Sequence, residues 1–92
     1  MHIQELDGGQ VSLEMRPDEA GPVLEQLQHE DGFARSRGVT HDLLSKGSIS
    51  LIFMDEWDDP CLLSMDAAGA SLLRSLARDD GSRRLTSLGA QG

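Results

Sequence analysis

SISLIFMDEWDDPCLLSM, residues 48–65, decides the fold. Its first half alternates as a strand does. Ile49, Leu51 and Phe53 point one way, Ile52 and Met54 the other. Both faces are apolar, the pattern of a strand that is central or covered on both sides. DEWDDP, residues 55–60, then places four acids, the only tryptophan and a proline in six residues. That composition predicts a turn, after which PCLLSM returns as the next strand. Asp66 is a good N-cap for the helix AAGASLLRSLARDD. Leu72, Leu73, Leu76 and Ala77 form its apolar stripe, and Gly69 and Ala70 permit close approach. Gly81 is the expected stop, with residues 82–92 a flexible tail from which Leu85 and Leu88 could tuck back.

Upstream, MHIQEL is a short strand and DGG (residues 7–9) a turn in which glycine supplies positive φ. QVSLEM sends Val11, Leu13 and Met15 to one face and Ser12 and Glu14 to the other, so the two segments form a hairpin. Pro22 interrupts any helix already under way at Pro17. The helix is therefore expected to begin near Pro22, with Val23, Leu24 and Leu27 as its stripe and Gly32 as its C′ residue. Residues 33–47 are expected to be an irregular loop, with one helical turn from Thr40 to Gly47. Arg35, Arg37 and Lys46 make it the most basic internal stretch.

The resulting order is β-β-α-β-β-α. VLEQLQHEDG (23–32) lies over LLRSLARDDG (72–81), with two Leu, an Asp and a Gly in matching positions. The expected architecture is α+β: a four-stranded, mainly antiparallel sheet with two helices packed on one face. Half-repeats 1–32 and 48–81, an internal ββα duplication, would make up a single domain over residues 1–81.

Ninety-two residues support one modest core. No stretch reaches the 18 or so apolar residues of a membrane span, and the N-terminal segment lacks the basic and apolar regions of a secretory signal. Cys61 is the only cysteine, which rules out an internal disulfide. Together these features lead to the expectation of a cytoplasmic protein. Sixteen acids against eight Lys and Arg give a net charge of −8. That field repels nucleic acid and anionic membranes and attracts basic proteins.

Catalytic and metal chemistries find little support. Asp55 and Glu56 fall on opposite faces of a strand, so they cannot chelate together, and the spacing is not that of an EF-hand. His2, His29 and His41 are far apart in sequence, and one cysteine makes no zinc pattern. The turn carboxylates should stay hydrated and ionised, and Cys61 sits in a strand as a small hydrophobe. No nucleophile elbow, phosphate-binding loop or HExxH occurs. No enzymatic activity and no cofactor are expected.

Protein binding remains. Asp55, Glu56, Trp57, Asp58 and Asp59 would form a hairpin tip with one large aromatic framed by carboxylates. Trp is a frequent hot-spot residue, and acids steer a basic partner. Charge and size suggest an inhibitor or immunity-type protein acting on a basic partner such as a nuclease or toxin. The alternative is a self-associating accessory or structural protein, a homodimer using a sheet edge or the apolar outer face around Ile52 and Met54.

Overall fold

The structure, a computed structural model, describes the backbone of residues 1–56 and 59–91 and the side chains of residues 1–55 and 59–79. Strands β1 (His2–Glu5) and β2 (Val11–Glu14) form the first hairpin. Its turn is a short 3₁₀ segment, Asp7–Gly9, in which Gly8 and Gly9 take φ of 75° and 83°. Helix α1 (Pro17–Glu25) and a π-helical turn (Gln26–Glu30) follow. Then come β3 (Ala34–Arg37), β4 (Asp42–Lys46), β5 (Ile49–Glu56), β6 (Asp59–Ser64) and α2 (Ala67–Gln91).

The fold is α+β and the sheet is antiparallel throughout, but it has six strands, not four, in the order β1-β2-β6-β5-β4-β3. The correction lies in residues 33–47, where the expected loop and helical turn are two strands. Gly47, at φ 59°, makes a two-residue turn that pairs Lys46 with Ile49. Positive φ at the first turn position suits the right-handed twist of a hairpin. Leu44 is fully buried and pairs with Leu51, so β4 is held by the core and not by local preference. β3 is held by Arg35, whose guanidinium lies 5.6 Å from the Phe53 ring centroid and 2.6 Å from the Asp42 carboxylate. That guanidinium, helped by the Gly38 N–H, holds the Asp42 carboxyl below the usual carboxylate range.

Helix α1 begins at Pro17, five residues before the expected start. Pro17 occupies the first turn, and Glu19 caps it by accepting a hydrogen bond from the Arg16 N–H at 2.9 Å. Pro22 is tolerated because it lies on the exposed side of the helix, as does Asp18, whose carbonyl loses its usual N–H donor from position 22. Ala20, Val23, Leu24 and Leu27 form the buried stripe. Gly32 ends the helical run at φ 78°, and the Phe33 N–H returns to the Leu27 carbonyl at 2.8 Å.

The Glu19 carboxylate also pairs with the Met1 ammonium at 3.0 Å. The Arg16 hydrogen bond first, and this ammonium second, hold its carboxyl below the usual 4.5 against partial burial. A depressed carboxyl stabilises the fold above its unfolded pKa and loses that contribution as pH falls through the folded one. The stability gap between the parent and Glu19→Gln at neutral pH is therefore expected to close as pH drops below 4.5, read from urea midpoints. A gap independent of pH would show that the Glu19 charge plays no part.

Helix α2 starts where expected. The Asp66 carboxylate accepts the Gly69 N–H at 2.6 Å and, with its other oxygen, the Ser50 N–H of β5 at 3.0 Å. A Cβ on Gly69 would come within 3.1 Å of the Ser50 carbonyl and the Leu51 side chain, so the absence of a side chain sets the closeness of helix and sheet. The helix continues past Gly81, the predicted stop, to Gln91. A glycine inside a helix costs about 1 kcal/mol and does not by itself end one. The side chains of Leu85 and Leu88, expected to be able to tuck back, lie outside the described residues.

One core joins both helices to one face of the sheet. It contains Val11, Leu13 and Met15 of the first hairpin, Leu44, Leu51, Phe53 and Leu62 of the later strands, and Ala70, Leu73 and Leu76 of α2. Bidentate contacts from Arg74 to Glu5, at 2.7 and 3.0 Å, fasten α2 to β1 and hold the Glu5 carboxyl below its usual range. The sub-order β1-β2-β6-β5 is the one that two ββα units related by a twofold axis would give, with β3–β4 appended beyond β5.

Candidate protein-binding surface

β5 and β6 carry the acidic segment to one end of the sheet. Their register runs from Leu51↔Ser64 to Asp55↔Pro60 and Glu56↔Asp59, so the two strands stay paired up to the turn. Asp55 and Asp59 are exposed. Neither makes an ion pair or side-chain hydrogen bond among the described residues. The backbone of Glu56 ends β5, and its side chain lies outside the described set, as do Trp57 and Asp58 entirely. Pro60 is fully buried and faces the helix-covered side, while its carbonyl accepts the Met15 N–H at 3.0 Å. The proline thus anchors the base of the hairpin end, and its carbonyl ties β6 to the end of β2.

Other carboxylates are committed to the fold: Glu5 to Arg74, Glu19 to the start of α1, Asp42 to Arg35, and Asp66 to α2 and β5. The contrast sorts the acids. These four hold elements together, whereas Asp55 and Asp59, like Asp7, Glu25, Glu30 and Asp79, leave their charge to solvent. Glu14, paired across the sheet with Cys61, adds a carboxylate near the same end.

Among the described residues, nothing covers the sheet face opposite the helices. Cross-strand register places Leu63, Ile52 and Leu43 side by side in one row, between Ser12 and Ser36. Cys61 and Met54 form the next row toward the acidic end. Leu43 is 39% exposed and the other four are half-buried. None of the five belongs to the core cluster. Sequence alternation had marked Ile52 and Met54. Leu43 was missed because its strand was read as a helical turn. The edges are short: β1 and β3 have four residues each, and β3 carries two arginines, features that discourage edge-to-edge pairing.

Among the described residues, no three His, Cys, Asp or Glu side chains come together to hold a metal ion. No helix among them is long and apolar enough to cross a membrane. Compared with known proteins, the chain matches no family model, no curated protein and no solved structure.

Proposed function

We propose that this chain is a small protein-binding module that acts on a basic protein, as an inhibitor or immunity-type protein would. Its contact residues are Asp55, Glu56, Trp57, Asp58 and Asp59. The observation that carries the reading is that Asp55 and Asp59 are exposed together at the hairpin end without an ion-pair partner among the described residues, next to Glu56 and Asp58 in the sequence, whereas Glu5, Glu19, Asp42 and Asp66 are tied into the fold. Charge left unneutralised at one end of a chain of net −8 steers a cationic surface toward that end. Trp57 supplies a large apolar contact within the same five residues.

The test uses the purified chain to capture a partner from native lysate at low salt, then measures association with the purified partner. The partner is expected to be basic. Its association rate should fall about tenfold for Asp55→Asn/Asp59→Asn, and by a similar factor between low and high salt. Trp57→Ala should instead act mainly on dissociation. An acidic partner, or rates unaffected by the Asn pair, would remove the hairpin end from consideration.

A further inference from the structure

We infer that the open sheet face is the site where a second copy of this chain packs, sheet against sheet. The inference does not rest on the role proposed for the acidic hairpin end. It rests on how residue types are distributed over the face. β5 is apolar on both sides and lies inside the sheet, yet the helices cover only one of them. A strand of that composition belongs between two layers.

The distribution along the strands selects the partner. At one end of the face, Ala34, Ser45 and Ser50 form a small, neutral row. The Leu43–Ile52–Leu63 row comes next, then Met54 and Cys61, and finally Asp59. No Lys or Arg occupies a described strand position on this face. The pattern is self-complementary about one kind of twofold axis. An axis between the sheets, running across the strands midway between the Ile52 and Met54 rows, reverses strand direction in the second copy and exchanges position 50 with position 56. The apolar rows then stack, and each acidic end lies over the other copy's serine row, whose hydroxyls can donate to carboxylates. An axis along the strands would stack Asp59 near Asp59, which like-charge repulsion disfavours. A cationic partner gains little here, because the centre of the face offers no charge to pair with.

Five inter-strand spacings and about five residues of length make a plane of roughly 24 by 17 Å. With side-chain relief, two such faces bury on the order of 1,000 Å², the lower end for a specific interface. Aligned packing of two twisted sheets, about 30° apart, suits this shape. The hairpin ends of the two copies then emerge at opposite ends of the dimer, with Asp59 at the interface and Asp55, on the helix-covered side, left accessible.

Sedimentation equilibrium of the full chain from about 1 µM to about 1 mM tests the proposal. The mass should rise with concentration from 10.0 kDa toward twice that value. Ile52→Glu should keep it at 10.0 kDa throughout. Leu43→Glu, at a more exposed position and so less able to disturb folding, should weaken association at least tenfold. The axis is tested at Ser50 of β5, beside which the partner's β5–β6 acidic end would lie: Ser50→Glu should weaken the dimer and Ser50→Lys tighten it. A strict monomer at every concentration would overturn the proposal, as would a dimer indifferent to Leu43→Glu. A dimer sensitive to Leu43→Glu but not to either Ser50 change would overturn the assigned axis.

Discussion

Leu62→Ala is expected to lower the unfolding free energy by about 3–4 kcal/mol, within the range for truncating a fully buried leucine. Leu62 has no exposed surface and sits in the middle of the sheet, between Leu13 of β2 and Phe53 of β5. Sheet and helices surround it, so the cavity has little freedom to collapse. A domain this small has a total stability of about 5–14 kcal/mol, so the loss is a large fraction. Urea unfolding should show a lower midpoint with an unchanged slope. The neighbouring change, Leu63→Ala, provides the internal comparison. Leu63 lies on the open face outside the core cluster, and its truncation in dilute protein should cost less than about 1 kcal/mol. Equal losses for the two leucines would show that the faces have been assigned wrongly.

Asp66→Ala is expected to cost about 2 kcal/mol. One carboxylate oxygen caps α2 through the Gly69 N–H, a contribution of about 1 kcal/mol in typical helices. The other accepts the Ser50 N–H, and a charged acceptor contributes about 1.5–3 kcal/mol. Ser50 is half-buried, so water recovers part of the second loss, which brings the sum back to about 2. Asp66→Asn keeps one acceptor oxygen and should fall between the parent and the alanine variant. Amide exchange separates the two roles: in the alanine variant the Ser50 amide should exchange faster, together with the first turn of α2. A loss confined to the helix would show that the bond to β5 contributes nothing.

The strand pair β5–β6 and the N-cap of α2 were legible because each rests on short-range rules. Alternation places Leu51 and Phe53 opposite Ile52 wherever the strand ends up. Asp66 stands directly before the helix it caps, and Gly32 directly after the one it terminates. The hairpin β3–β4 was not legible in the same way. Ala34, Ser36 and Arg37 are exposed, and one buried residue, Leu44, ties β4 to the core. The Lys46–Gly47–Ser48–Ile49 turn was the available signal, since Gly-Ser at the centre of a two-residue loop is a hairpin pattern. Pro22 misled in the opposite direction. A proline on the solvent side of a helix removes one donor, that of position 22 to the Asp18 carbonyl, at a position where both residues are exposed.

For the acidic segment, composition supplied the charge but not its availability. Asp42 and Asp55 look alike in the sequence. In the fold, Asp42 is tied to Arg35, while Asp55 stands at the hairpin end in solvent. The open apolar face shows the same division. Period-two alternation determined that Ile52 and Met54 share a side of their strand, because backbone geometry dictates it locally. Whether that side would be covered depended on where two helices and five other strands came to lie. Tertiary packing decided it by placing both helices against the face of Leu51, Phe53 and Leu62, where a larger continuous apolar surface could be buried. Leu43, Ile52 and Leu63 stayed on the opposite side because a sheet buried by one layer of helices has only one face in the core.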